Sequence, residues 1–206
     1  ANLYRSPREK LVKYALGLCA ALTVLTTLGI VGILVYESAG FFAQVSVIDF
    51  LTGTDWEFAS TEPSFGVLPL VTGTLLITAI AAAVAMPIGL ASAIYISEYA
   101  SPRARRWLKP SLEVLAGVPT VVYGFFALTF VSGVVIQGFN PALPPLNALS
   151  AGLVVGIMII PMVASVSEDA IQAVPRSLAA GAYALGATKF EVVLRVIVPA
   201  ALSGII

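Results

Sequence analysis

Three stretches of this sequence carry no charge at all: residues 14–36, 63–97 and 114–167, which are 23, 35 and 54 residues long. A helix needs about 20 apolar residues to cross the hydrocarbon of a bilayer, so runs of this length point to membrane-spanning helices. Composition agrees. Hydrophobic residues make up 59 % of the chain and charged residues 11 %, against about 25 % charged in a soluble domain. That charge is too little to cover a water-facing surface, and the apolar fraction excludes disorder. A single cysteine, Cys19, excludes a disulfide scaffold and leaves the redox compartment unread. Zero net charge argues against nucleic acid as a partner. Continuous apolar runs favour helices over barrel strands, which alternate. The chain reads as an all-α integral membrane protein whose first partner is the lipid bilayer.

The gaps set the organisation. Residues 1–13 precede a first span at about 14–36, followed by an acidic segment, 37–66. A second span falls at about 67–96, with Pro87 free to kink it. The third gap is long enough for two spans, at about 112–136 and 149–166. Between them, 137–147 holds Asn140, Pro141, Pro144, Pro145 and Asn147 and reads as a loop. A connecting segment, 167–198, leads to 199–206, read as the start of a fifth helix in a C-terminally incomplete chain. Orientation follows from Lys and Arg. Arg5, Arg8, Lys10 and Lys13 precede the first span, Arg103, Arg105, Arg106 and Lys109 follow the second, and Arg176, Lys189 and Arg195 follow the fourth. All lie in alternate segments, which places the N-terminus in the cytoplasm and 37–66 outside. A cleavable signal peptide is the rival reading of the first span, since Ser38-Ala39-Gly40 follow it; its apolar core would be about 7–15 residues.

The chemical inventory excludes much. The chain has no His, the commonest general base and metal ligand. No Lys precedes Ser or Thr, so there is no phosphate-cradling P-loop, and no GxSxG elbow occurs. The carboxylates of 37–66 lack calcium-loop spacing. Glu168 and Asp169 are adjacent, so on a helix they point apart, and both are read as a solvated helix end. Glu113 is expected to snorkel, or to pair with Arg106 or Lys109. No enzyme, cofactor site or metal site is expected.

Residues 167–198 are the most informative. Pro175 suits the first position of a helix, and Arg176–Leu185 reads as a short helix. Gly186 then stands where a helix end wants a left-handed residue. Thr188-Lys189-Phe190-Glu191 has the form of a capping box, and Pro199 is expected to limit the helix it starts. The small residues Ala179, Ala180, Gly181, Ala182 and Ala184 permit close approach of a partner, with Leu178, Leu185 and Phe190 as anchors. The same pattern suits a hairpin packed on its own membrane domain, and the two readings stand level.

Leu185-Gly186-Ala187, followed by a second helix and Val198-Pro199, resembles the EAA loop of ABC-importer permeases. In that family the loop docks into a cleft of the cytoplasmic ATPase. Aligned on Gly186, the loop's usual Glu falls on Ala180, with Gly181 and Ala182 after it, so the Glu is absent here. Tyr95-Ile96-Ser97-Glu98-Tyr99-Ala100 and Leu115-Ala116-Gly117-Val118-Pro119-Thr120-Val121-Val122-Tyr123-Gly124 resemble the phosphate-importer permeases. Phe50-Leu51-Thr52-Gly53-Thr54-Asp55-Trp56 and Gly73-Thr74 point to the PstC type among them. The resemblance covers about 50–206 and implies a MetI-like helical core preceded by one additional helix. It also implies a bacterial-type inner membrane, a homologous second permease, a cytoplasmic ATPase dimer that binds the ATP and Mg, and an external phosphate-binding protein. The coupling residues would be Ala180, Gly181, Ala182, Leu185, Gly186 and Ala187. Hydroxyls along the expected path are Thr74, Thr78, Thr120 and Tyr123, beside a break at Gly117-Val118-Pro119 that suits either a packing kink or a cavity wall. The spans hold no Lys or Arg, so an anion's essential cation is expected beyond Ile206 or in the second permease. A channel or secondary transporter without an ATPase, and a permease for another oxyanion, are the alternatives.

Overall fold

The computed structural model describes residues 7–205, with side chains from residue 9. The chain forms two compact units, Ala1–Leu70 and Val71–Ile206. Among the described residues, four helices are long and apolar enough to cross a membrane: Glu9–Phe42, Leu68–Tyr99, Thr120–Phe139 and Ala148–Ala173.

The first unit holds α1 (Pro7–Phe42), α2 (Val47–Thr52) and a short antiparallel pair, β1 (Trp56–Glu57) with β2 (Ser64–Phe65). Helix α1 passes through Ser38-Ala39-Gly40 without a break. The acidic segment is folded by edge-to-face aromatic contacts. Phe41 meets Phe50 and Phe65 at ring separations of 5.8 and 5.4 Å, and Trp56 meets Phe65 at 5.9 Å. Gly53 and Gly66 cross so closely that a Cβ on Gly66 would lie 2.3 Å from the Gly53 carbonyl oxygen.

The second unit begins within α3 (Leu68–Ile94), which continues as a π-helical turn, Tyr95–Tyr99. Then come α4 (Pro102–Ala116), α5 (Thr120–Phe126) with a π-helical continuation, Ala127–Ile136, and a last turn, α6 (Gln137–Phe139). Helix α7 (Ala148–Ala173) is followed by α8 (Arg176–Ala184), α9 (Lys189–Val192), a π-turn Val193–Ile197, and α10 (Val198–Ile205). Side chains set the starts. Ser101 accepts from the Ala104 N–H at 3.2 Å to begin α4, and Asn147 accepts from the Ser150 N–H at 2.8 Å to begin α7. Helices α3 and α7 touch backbone to backbone. A Cβ on Gly152 would lie 2.7 Å from Ile80, and one on Gly156 would lie 3.0 Å from the Ala81 carbonyl oxygen, so the GxxxG pair is a close helix contact.

Several boundaries differ from the sequence reading: α1 overruns 14–36 at both ends, and Gln137–Phe139, expected in a loop, form a last helical turn. The third span begins at Thr120, not 112. Pro119 has no N–H to give and drives Val118 out of the helical region, so 112–116 complete the separate, amphipathic α4. The fourth helix runs to Ala173, past 166. The helix read as Arg176–Leu185 starts at Arg176 as expected but ends at Ala184, with Pro175 its N-cap and not its first residue. Pro199 does not stop the last helix. The Val198 N–H bonds five residues back, to Val193, and local π adjustments of this kind let a membrane helix carry a proline.

Candidate functional site

The segment after α7 is a helix–turn–helix whose turn is closed by its own backbone. The Ala187 N–H donates to the Ala182 carbonyl at 3.2 Å and the Gly186 N–H to that of Tyr183 at 2.9 Å. These two bonds are the Schellman pattern, which needs a left-handed residue between them. Gly186 supplies it with φ +84°, and among the described residues it is the glycine with positive φ. The next helix starts on the expected capping box: Thr188 N–H and hydroxyl donate to Glu191 Oε2 at 2.9 and 2.8 Å, and the Glu191 N–H returns to the Thr188 hydroxyl. The Thr188 N–H first, then its hydroxyl, hold the Glu191 carboxyl below the usual range; desolvation opposes this and Arg195 adds to it. A lowered carboxyl favours folding above the ordinary glutamate pKa, and that contribution is lost as pH falls through the lowered one.

The hairpin packs on its own domain by one face and leaves the other exposed. Ala179, Ala182 and Ala187 pack against a core of Ala93, Ile171, Val192, Val193, Ile197 and Ala201. Ala180 and Gly181 face outward, as do Leu178, Phe190 at 65 % exposure and Leu185 at 90 %. So the six sequence-identified loop residues divide. Ala182 and Ala187 hold the turn to its own domain, whereas Ala180, Gly181, Leu185 and Gly186 present it.

Two cations finish the end of the α3 helix, Arg105 from α4 and Lys189 from this hairpin. A helix leaves its last carbonyls without partners. Here Arg105 donates to Ile96 O at 3.0 and 2.5 Å and to Ser97 O at 2.7 Å. Lys189 donates to Glu98 O and stands 4.7 Å from the Tyr99 ring centre. The outward turn therefore carries, on its next residue but one after Ala187, a direct bond to a membrane-length helix.

Glu168 corrects the expectation of a solvated end. It is 3 % exposed, pairs with Lys109 at 3.4 Å and accepts from Gln172 at 2.7 Å, while Asp169 is exposed. Lys109 thus binds Glu168 rather than Glu113. A signal was present: Pro161, Ala164, Glu168 and Ile171 share one helical stripe, and all four are buried.

The hydroxyls expected along a path separate. Thr120 and Tyr123 line one groove of about 580 Å³ with Ile77, Gly124, Ala127 and Met158. Tyr123 donates to the Leu115 carbonyl at 2.9 Å, bridging the break before α5. Thr74 and Thr78 are exposed on α3, and it is Ile77 that brings α3 to this groove. The break at Gly117-Val118-Pro119 is a helix boundary beside that wall.

The family model described as "binding-protein-dependent transport system inner membrane component" matches residues 85–206. A probable ABC transporter permease protein, YqgH of Bacillus subtilis, is 36 % identical over 184 residues, 89 % of this chain and 58 % of its own length. The phosphate transport system permease protein PstC of Mesorhizobium japonicum is 32 % identical over 199 residues, 87 % of this chain and 60 % of its own. That of Haemophilus influenzae is 35 % identical over 168 residues, 73 % and 53 % respectively. The chain thus spans somewhat over half the length of these relatives. No solved structure matches it. The family match over residues 85–206, which takes in the third and fourth membrane-length helices and the helix–turn–helix after them, leads to one conclusion: the chain belongs to the binding-protein-dependent transport system inner membrane components.

Proposed function

We propose that this chain is the permease subunit of an ATP-driven phosphate importer, of the PstC type, and forms half of the translocation pathway. The observation that carries the proposal is the outward turn at Gly186, with Leu178, Leu185 and Phe190 exposed around small residues on a hairpin otherwise packed against its own domain. The relatives named phosphate transport system permeases support phosphate as substrate. In this reading the N-terminus and the Gly186 turn face the cytoplasm, and the acidic segment faces outside. A cytoplasmic ATPase dimer receives the turn and binds ATP and Mg, so this chain itself is not catalytic. A homologous permease supplies the other half of the pathway, and an external binding protein delivers phosphate.

Closure of the ATPases would push the turn, and Lys189 would pass the displacement to the α3 helix end through the Glu98 carbonyl. Ala93, Ile171 and Val193 would pass it to the packed membrane helices. Rigid helices moving about such a contact give alternating access. Thr120 and Tyr123 would line the path.

The test is a cysteine at Leu185, in a Cys19→Ala background of the complete protein, expressed with its ATPase. A short bifunctional thiol reagent should join it to an ATPase cysteine placed in the receiving cleft, and an impermeant reagent added outside should not label it. Labelling from outside would contradict the topology and the docking together.

A further inference from the structure

Helix α4 has two different faces. Ala104, Arg105, Lys109 and Leu112 turn inward, with Arg105 and Lys109 held by the bonds already described. The opposite face carries Arg103, Arg106, Trp107, Pro110 and Val114, all exposed, Trp107 at 78 % and Val114 at 72 %. A water-facing helix would not place an indole and a valine on its outer stripe beside two arginines that have no ion-pair partner among the described residues. An interfacial helix does: aromatic and aliphatic groups enter the acyl boundary while cations remain at headgroup depth.

Position makes the same demand. Two residues separate α4 from the membrane-length helix before it, and three from the one after it. At 1.5 Å per residue a 15-residue helix is about 22 Å long, and tethers this short hold both of its ends at the membrane boundary. Beside the outer stripe is a cleft of about 560 Å³ lined by Pro102, Arg105, Arg106, Lys109, Pro110 and Glu113. Lys109 is neutralised by Glu168, and Arg105 donates to carbonyls, which bring no opposite charge. Arg105 and Arg106 against Glu113, with Arg103 nearby, leave the cleft net positive.

We propose that the outer face of α4 is a binding site for an anionic phospholipid, whose headgroup phosphate occupies the cleft at Arg106 and whose acyl chains lie against Trp107 and Val114. Basic residues near a membrane surface attract anionic lipid, and an arginine fork meets two phosphate oxygens at once. The lipid would hold α4, and with it the Arg105 bonds that finish the α3 helix. It would thus set the resting position of the segment against which Lys189 acts.

The experiment uses the complete protein with every tryptophan but Trp107 replaced by Phe, reconstituted in vesicles of phosphatidylcholine and phosphatidylglycerol at fixed ratio. Bromine on the acyl chains of one lipid or the other quenches the tryptophan it touches. Brominated phosphatidylglycerol should quench Trp107 more, corresponding to an enrichment of roughly five-fold over phosphatidylcholine. Arg103→Gln with Arg106→Gln should bring the ratio to about one while quenching persists. Replacing chloride by inorganic phosphate at equal ionic strength should leave the enrichment unchanged. Equal quenching by the two lipids in the unsubstituted protein would overturn the proposal. So would absence of quenching by either, which would mean that another protein covers this face. Loss of the enrichment in inorganic phosphate would also overturn it, in favour of a soluble-anion site.

Discussion

Gly186→Val, introduced in the complete transporter, is expected to reduce ATP-driven phosphate uptake by on the order of 100-fold, the cost of a displacement of ~1 Å at a contact that must align, while membrane insertion is unchanged. The cause is conformational. Nothing lies within 4 Å of a Cβ built on Gly186, so there is room for a side chain; it is φ +84° that forbids one. A β-branched residue is strained there by about 1–3 kcal/mol. The turn relaxes by giving up the Ala187–Ala182 and Gly186–Tyr183 bonds, and Leu185 then points elsewhere. Asn tolerates left-handed backbone far better, so Gly186→Asn should retain most uptake. Equal loss in Asn and Val would show that space matters and not φ. Normal uptake in Val would show that the turn does not couple.

The second large effect concerns the buried ion pair. Lys109→Ala should destabilise the protein by about 3 kcal/mol, the lower end for a broken buried pair, because Lys109 is 43 % exposed and screened whereas the Glu168 side chain is 4 % exposed. The cost lies mainly in leaving the Glu168 carboxylate buried without its cation. Replacing both residues, Lys109→Met with Glu168→Met, should therefore recover most of the loss. Thermal unfolding in detergent measures both. If Lys109→Ala unfolds with the parent, Glu168 is not held by this pair.

Much of this architecture is legible in the sequence because burial in lipid demands long uncharged runs, and such runs are countable. Four membrane-length helices, the left-handed Gly186, the Thr188–Glu191 box and the Gly152–Gly156 contact all depend on local pattern, and each has its counterpart in the structure. The differences come from tertiary or backbone effects that a pattern does not carry. Leu112 is apolar and follows charged residues, so it looks like the start of a span; only the failure of the helix at Pro119 assigns it to α4. Pro199 looks like a stop because the π-turn before it leaves no trace in the sequence. Glu168 looks solvated because its partner, Lys109, stands 59 positions away in the chain, although its place on the Pro161–Ile171 stripe shows that it faces inward.

The candidate site divides in the same manner. Leu185, Gly186 and Ala187 are identifiable by residue type and order, but which alanines face the domain and which face outward depends on packing. Arg105 and Lys189 carry cations suited to a helix C-terminus, yet Lys189 reaches the Glu98 carbonyl from 91 residues away. Only the fold reveals that contact. Thr74 and Thr78 share a helix with Ile77, and only Ile77 turns to the groove that Thr120 and Tyr123 line.

Phosphate uptake into vesicles is the most direct measurement of the central proposal. The vesicles would contain the complete protein, its companion permease and the ATPase, with the binding protein on the face opposite the ATPase. Accumulation of labelled phosphate should require both ATP and the binding protein, and should fall to background when the ATPase is omitted. Uptake that continues at an unchanged rate without the ATPase, driven by an ion gradient, would contradict the account.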